Sequence, residues 1–594
     1  MMNRTLDTLK RYYFAAASLA FVILLVRLGY LQLYNWDKYF RESEQNRIRE
    51  IVVDADRGQL LDRNGDILVD NWPSYSVSVI PYEFLKSDTT ITFLSSLIDV
   101  PSTDLIKRIQ KEKISNFNPV RIKRQIGFKT LSALEENRLD LLGVFYNIES
   151  KRYYPGGVRA PHVFGYLDEI TSDELTVRKK DGYRLGDNVG RTGLELMYEN
   201  YLRGTAGVKY IEVDVLGREV RDLHELTSRS PVPGKNLYLT LDAPLQKFLE
   251  GRMAGKKGAA IAIDPRNGDV LAFVSGPDYS PELFSNPLSP TIWNSLINDE
   301  GHPLYNRASQ SLFPPGSTFK LILAAAGLET GLMDTTEQVR CTGGYQFGRR
   351  RFKCWKVGGH GLVNLKNAIQ QSCNVFFFKK SLDVGLANWS KYAGLFGFGH
   401  KTGIDLPDEN LGLVPDKAYL DGRYGEKNWT RGQLLNLAVG QGDLLVTPLQ
   451  MAKFAMIVGN EGHWFRPRLV RKVRDPLTNE TIELNSPSFK SNQISRETYK
   501  ILKEGMYLVV NGPRGTAHAA RLSGVEVCGK TGTAQNPQGK SHAWFIGFAP
   551  REHPEIAFCI MVENGGGGGA VAAPIAGDML KKFFESNNRR IARR

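Results

Sequence analysis

Three short strings in the C-terminal half carry residue types suited to acyl transfer. They are Ser317-Thr318-Phe319-Lys320, Ser372-Cys373-Asn374 and Lys530-Thr531-Gly532-Thr533. A serine hydroxyl is a weak nucleophile until a nearby base takes its proton. If Ser317 opens a helix, Lys320 lies one turn on, on the same face, within reach of the hydroxyl. Pro314-Pro315-Gly316 cannot continue a helix from upstream, and Phe319 to Ala326 reads as a buried helix, so a helix start at Ser317 is expected. The positive potential of a helix N-terminus favours a developing oxyanion. Lys320 must be neutral to act as a base, which requires burial or a neighbouring cation. Lys530 is positioned by type to be that cation, or to bind a substrate carboxylate.

Ser372 and Asn374 bracket one residue. In an extended or loop segment they point the same way and Cys373 points the other way. A second hydroxyl beside the lysine suits proton relay to a leaving amine, and the Asn374 amide suits holding a substrate amide. Lys530 to Thr533 follows Val525-Glu526-Val527-Cys528, which alternates like a strand. Gly532 permits close approach of another backbone, and an edge strand here offers pairing to an extended peptide. A lone S-x-x-K is usually an ordinary helix start and a lone K-T-G a turn. The three strings together, in this order, point instead to a serine acyl-enzyme.

With those strings the chain resembles the class B penicillin-binding proteins, and the resemblance covers nearly its whole length. Arg57 to Gly65 (RGQLLDRNG) is similar to the first signature box of that class. Arg152-Tyr153-Tyr154-Pro155-Gly156 with His162 to Tyr166 is similar to the second, and Gly190 to Glu195 (GRTGLE) to the third. Gly440-Gln441-Gly442 followed by Thr447 to Ala452 resembles a helix entry of these transpeptidase domains. The run Val213 to Glu219 and the cysteines described below look most like the elongation branch. The resemblance implies a peptidoglycan DD-transpeptidase, with residual D-Ala-D-Ala carboxypeptidase activity, inhibited by β-lactams. Ser317 would attack the D-Ala-D-Ala amide of a stem peptide, with Lys320 as base and Ser372 as proton relay. Lys530, Thr531 and Thr533 would hold the terminal carboxylate, and the backbone N–H groups of Ser317 and Thr533 the oxyanion. Implied partners are a SEDS-family glycosyltransferase and other elongation-complex proteins. A septal transpeptidase uses the same residues and remains an alternative. A membrane-bound β-lactamase also needs a deacylating base, for which the sequence offers no convincing candidate, and a β-lactam sensor normally carries more membrane segments.

The chain has 594 residues and a formal net charge of +14, too long for one ordinary domain and suited to anionic partners. No nucleic-acid-binding signature is present, so a membrane surface or cell-wall polymer is the expected anion. Tyr12 to Val26 is apolar, Arg27 interrupts, and Leu28 to Tyr34 continues. A span needs ~20 residues, and an arginine near its end can snorkel, so Tyr12 to Leu33 reads as one uncleaved anchor. Arg4, Lys10 and Arg11 precede it, which places the N-terminus in the cytoplasm and the rest in the periplasm, at the inner membrane. A cleaved signal peptide is the rival reading, but no small-x-small site closes the run.

The expected architecture is α+β. Residues 1–35 form the tail and anchor, 36–245 a non-catalytic pedestal, 246–586 the transpeptidase domain and 587–594 a basic tail. Within the catalytic part, Gly258 to Ser275 reads as a hairpin turning at Asp264-Pro265-Arg266-Asn267-Gly268. A mostly helical insert from about residue 310 to 515 carries the first two motifs. Strands return at Gly524 to Thr531, His542 to Pro550 and Glu555 to Glu563, and a helix from Pro574 to about Glu585 closes the domain. Asn564 to Gly569 reads as a flexible loop.

Three of the five cysteines, Cys341, Cys354 and Cys373, fall close together with His360 among them. Three thiolates and an imidazole suit a closed, structural zinc site. Gly358-Gly359 and Gly361 free the backbone to turn His360 inward. A Cys341–Cys354 disulfide and buried free thiols are the alternatives. Cys528 and Cys559 fall at strand positions and read as core. No organic cofactor is expected.

Overall fold

The computed structural model describes residues 2–37, 48–113, 116, 119–213, 219–222, 228–286, 288–426, 428–491, 493–537 and 539–591. Most of the Val213 to Glu219 run and the end of the basic tail lie outside the described residues. The chain forms two units. One comprises Met1–Asp56, Pro73–Ser150 and Thr205–Val232; the other Arg57–Trp72, Lys151–Gly204 and Pro233–Arg594. Segments 57–72 and 151–204, which the sequence reading assigns to the pedestal, thus belong to the same unit as the catalytic motifs.

The first unit begins with an apolar helix, Met2–Gly29, extended by a wider turn at Tyr30–Tyr34. Leu9–Tyr34 is long and apolar enough to cross a membrane, with a mean hydropathy of 2.1 and no burial against the rest of the protein. The Arg27 guanidinium lies 5.5 Å from the Tyr30 ring centre, near the end of the span where a charge is tolerated. An antiparallel sheet joins Ile48–Val53, Gly207–Val213 and Glu219–Asp222. A small core gathers Val77 and Val79 of a long strand with Leu94, Leu105 and Ile109 from helices Asp88–Ile98 and Ser102–Glu112. Leu105 and Ile109 sit four apart, so both fall on the helix face turned to that core.

The second unit is built on a five-stranded antiparallel sheet. Its order is Val270–Gly276, Gly258–Ile263, Ile556–Val562, His542–Ala549 and Cys528–Ala534. The central strands are buried along their whole length. Helix Pro448–Gly459, fully buried, packs on the sheet through Gly258–Ile263, His542–Ala549 and Ile556–Val562. Helices Ala243–Met253 and Gly568–Ile591 pack against each other and against the sheet. The α+β expectation and the hairpin turning through Gly268, at φ +79°, match this arrangement.

Two expected boundaries move. The last helix begins at Gly568, not Pro574, so the end of the glycine run is helical. A Cβ on Gly568 would overlap the backbones of Gly532 and Trp544, so glycine here serves close packing behind the third motif rather than flexibility. The strand of the third motif begins at Cys528, because residues 522–525 are tied into a turn by a Leu522–Val525 bridge.

The three signature boxes meet in one buried ion network inside this unit. Arg57 from the first and Arg152 from the second both donate to Glu195 from the third, at 2.6 and 2.7 Å. Arg57 also pairs with Glu199, which accepts from Tyr183 Oη at 2.9 Å and from the Gly190 N–H at 3.0 Å. Burial pushes the Glu195 carboxyl up, but the Arg152 and Arg57 guanidiniums outweigh it and hold the group below its ordinary value.

Candidate active site

Ser317 lies on a single 3-10 turn, Gly316–Phe319, and helix Lys320–Glu329 follows directly. The expected helix start is present, but its first turn is the tighter form. With about three residues per turn, positions i and i+3 fall on one face, which sets Ser317 and Lys320 on the same side of the chain. The turn is wedged against the third motif. Gly316 adopts φ +60°, and a Cβ there would sit 2.9 Å from the Thr533 carbonyl carbon and 3.0 Å from its nitrogen. Its N–H donates to the Gly440 carbonyl at 2.9 Å, so the Gly440-Gln441-Gly442 segment clasps the nucleophile turn from the other side.

The second motif is not extended. Helix Leu365–Gln370 ends in a reciprocal cap: the Ser372 N–H donates to Ile369 at 3.2 Å and the Cys373 N–H to Ala368 at 2.9 Å. That cap needs a left-handed residue, and Ser372 supplies it at φ +53°. Asn374 then opens helix Asn374–Leu395. The turn directs Ser372 and Asn374 to Lys320 and places Cys373 with Cys341, Cys354 and His360, through a cap instead of an extended segment.

Lys320, fully buried, donates from Nζ to Asn374 Oδ1 at 2.6 Å, to the Ser372 carbonyl at 2.8 Å and to Ser372 Oγ at 3.2 Å. Lys530, equally buried, reaches the same Ser372 Oγ at 3.0 Å and donates to the Thr531 carbonyl at 3.0 Å. Burial lowers the Lys320 ammonium to about 8, against a smaller opposing pull from the thiols of Cys373, Cys354 and Cys341. Lys530 is held well below its ordinary value by burial first and by the charge of Lys320 second. Two amines sharing one hydroxyl in a dry site cannot both stay charged.

Cys528–Ala534 is the edge strand of the sheet. The Thr531 carbonyl accepts from Lys530 and the Thr533 carbonyl from Gln441 Nε2 at 3.4 Å. Alternate residues of an antiparallel strand send their N–H and C=O to the same edge, so the Thr533 backbone faces outward beside Ser317. A Cβ on Gly532 would fall 2.6 Å from the Pro315 carbonyl and 3.0 Å from Thr318, which fixes glycine at that position.

Cys341, Cys354, His360 and Cys373 are all buried, and their ligand atoms lie within 4.8 Å of one another. The sulfurs of Cys341 and Cys354 each stand 3.5 Å from His360 Nδ1. All five cysteines are free thiols, so the Cys341–Cys354 disulfide is not formed here. Cys528 and Cys559 lie in the sheet core, as expected.

Two side chains escaped the sequence reading. Trp355 Nε1 donates to the carbonyls of Gln371 at 3.0 Å and Ser372 at 3.2 Å, bracing the turn of the second motif. Thr516 Oγ1 lies 2.7 Å from Thr531 Oγ1 and so steadies the third. A tryptophan directly after a clustered cysteine was a signal for the first; nothing local marks the second.

A fold of this kind carrying this lysine–serine–lysine arrangement defines the serine acyl-transferases that bind penicillin, and comparison with known proteins agrees. Residues 258–581 match the penicillin-binding protein transpeptidase domain, and residues 52–239 the penicillin-binding protein dimerisation domain. The chain belongs to the penicillin-binding protein transpeptidase family. It is 34% identical over 584 residues to the peptidoglycan D,D-transpeptidase MrdA of Acinetobacter baumannii, covering 94% of this chain and 85% of that protein. MrdA of Escherichia coli K12 is 32% identical over 587 residues, covering 95% and 91%. Among solved structures, Helicobacter pylori PBP2 in complex with MreC superposes with a TM-score of 0.79 at 30% identity, covering 91% of this chain and 99% of that one. A peptidoglycan synthase complex that coordinates polymerization and crosslinking contains a chain with a TM-score of 0.71 at 28% identity, covering 96% and 98%.

Proposed function

We propose that this protein is an elongation-type peptidoglycan D,D-transpeptidase working through an acyl-enzyme on Ser317. The observation that carries the reading is Ser372 Oγ held between two buried lysines, beside a nucleophile turn that abuts an open edge strand. Ser317 Oγ attacks the carbonyl of the penultimate D-alanine, and Lys320, once neutral, takes its proton. The oxyanion meets the Ser317 and Thr533 N–H groups. Ser372 passes a proton to the departing D-alanine amine as the C–N bond breaks. The donor peptide lies along the edge strand, with its terminal carboxylate at Lys530, Thr531 and Thr533 and an amide at Asn374. An amine from a second stem then attacks the ester carbon. A new amide forms, the Ser317 ester bond breaks, and the serine recovers a proton. Water in place of that amine gives residual carboxypeptidase turnover, and β-lactams stop at the ester stage. Incubation with a D-Ala-D-Ala stem peptide and an acceptor amine should release D-alanine and form the crosslinked product in mass spectra. Retention of both by Ser317→Ala would refute the assignment.

The cysteine–histidine cluster is assigned to structural zinc. A tetrahedral ion with bonds of about 2.3 Å to sulfur and 2.0 Å to nitrogen puts S and N about 3.5 Å apart. That is the separation of both sulfurs from His360 Nδ1. The ion would fix Cys373, and with it the turn carrying Ser372 and Asn374, and takes no part in the chemistry.

The apolar helix anchors the chain in the inner membrane, with the basic residues before it in the cytoplasm and the catalytic unit in the periplasm. The complex with MreC and the peptidoglycan synthase complex formed by similar proteins support elongation-complex partners, and the family resemblance adds a SEDS-family glycosyltransferase as the proposed polymerising partner.

A further inference from the structure

Between Glu337 and Asp383 the chain contains no acidic residue. Six cations of that stretch, Arg340, Arg349, Arg350, Arg351, Lys353 and Lys356, are all exposed. Among the described residues none of them forms an ion pair. The nearby Lys380, by contrast, is paired with Glu337 and Asp383. The catalytic steps use none of the six.

Four of them, Arg349, Arg350, Arg351 and Lys353, belong to one hairpin, while Arg340 lies on strand Val339–Cys341 and Lys356 just beyond the hairpin. Strands Gly344–Phe347 and Arg350–Lys353 pair antiparallel, with Phe347 opposite Arg350 and Gly344 opposite Lys353. Gly348, at φ +57°, and Arg349 make the two-residue turn. Period-two alternation gives the hairpin two faces. Tyr345, Phe347 and Phe352 pack on Phe378, Leu435 and Val439. Gln346, Arg351 and Lys353 occupy the opposite, exposed or open face, and Arg349 stands at the tip. The base of the hairpin touches the second motif, where the Lys353 carbonyl accepts from Asn374 Nδ2 at 3.2 Å. The next two residues are Cys354 and Trp355, the latter bonded to the Ser372 carbonyl.

We propose that this cationic hairpin is the docking surface for the acceptor strand, binding the free carboxylates of the stem peptide whose amine attacks the acyl-enzyme. The proposal rests on the transpeptidase reading and adds the site of the second substrate. Arg350, opposite Phe347, lies over the Phe352 ring at 4.9 Å on the aromatic side, and the others lie on the open face or tip. None is neutralised by a carboxylate among the described residues, so their field is kept for a ligand and attracts a polycarboxylate before it reaches the ester. The direct contact with Asn374 and Ser372 favours a peptide delivered to the active site over a lipid surface.

The test uses the full chain in detergent, acylated with benzylpenicillin so that the donor site is closed. A fluorescein-labelled stem tripeptide with two free carboxylates is titrated in and followed by anisotropy. Binding should weaken several-fold when salt rises to about 0.3 M. It should weaken about tenfold or more in the triple variant Arg349→Glu, Arg350→Glu, Arg351→Glu, with the corresponding Gln variant between. The same tripeptide with both carboxylates amidated should bind weakly to every form. Equal binding of the free and amidated peptides, equal binding to wild type and triple variant, or no binding to wild type would each overturn the proposal. So would a loss confined to phosphatidylglycerol proteoliposomes, which would assign the hairpin to lipid. Acylation by penicillin at the wild-type rate certifies the fold of each variant. If the triple variant fails that control, single Arg349→Glu and Arg351→Glu variants make the same comparison. Failure of wild type to acylate at all would instead refute the transpeptidase reading.

Discussion

Lys530 Nζ stands 3.0 Å from Ser372 Oγ, in a site from which both side chains are almost wholly shielded from water. Lys320 reaches the same oxygen from the first motif. One hydroxyl thus links the lysine of the first motif to the lysine of the edge strand, and the charge of each amine disfavours that of the other. The arrangement lowers both amines, so that Lys320 loses its proton within reach of physiological pH instead of about two or three units above it.

A pH dependence follows. Burial lowers Lys320 to about 8, and only its unprotonated form can take the Ser317 proton. The acylation rate should therefore fall about tenfold per pH unit below that value and level off above it. Second-order labelling rates with a fluorescent penicillin between about pH 6 and 9 check this. A flat profile, or one that falls as pH rises, would remove Lys320 from the role of base.

Ser372 separates stability from activity. It occupies a left-handed cap position that favours glycine, at a cost of roughly 1 kcal/mol for an L-residue. Ser372→Gly should keep or raise the melting temperature while slowing acylation by about 10²- to 10⁴-fold. Thermal melts and acylation kinetics on the same preparation decide it. Unimpaired acylation in a folded Ser372→Gly variant would exclude the relay.

The zinc assignment predicts about one metal equivalent per chain in elemental analysis. Cys373→Ser should lose the metal and slow acylation, because Cys373 lies between Ser372 and Asn374. A metal-free, fully active wild type would contradict it.

Glu195 is the shared partner of Arg57 and Arg152 and is 1% exposed. Glu195→Ala leaves two buried guanidiniums without it and should destabilise the fold by about 3–5 kcal/mol. Denaturant melts of the two forms measure the difference. A change below about 1 kcal/mol would mean that the network adds little.

Much of this was legible in the residues, because the chemistry depends on side-chain type and order. The three motifs, the hairpin at Asp264 to Gly268, the apolar anchor and the cysteine cluster all announce themselves locally. What was hidden depends on long-range packing. Ser372 reads as part of an extended triplet until the helix ending at Gln370 requires a left-handed cap. The glycines ending at Gly569 read as a flexible loop until Gly568 is seen against Gly532. The Arg57–Glu195–Arg152 network joins residues up to 138 positions apart, and no local pattern reveals such a pairing. The same holds for Thr516 against Thr531.

The central claim is that Ser317 is the acylated nucleophile, and covalent labelling tests it most directly. Wild type and Ser317→Ala are treated with a fluorescent penicillin, and the label is followed over hours after removal of free drug. The account predicts a stable label on wild type, mapped by mass spectrometry to the peptide carrying Ser317, and none on Ser317→Ala. Label that persists in Ser317→Ala, or that is lost within minutes from wild type, would contradict it.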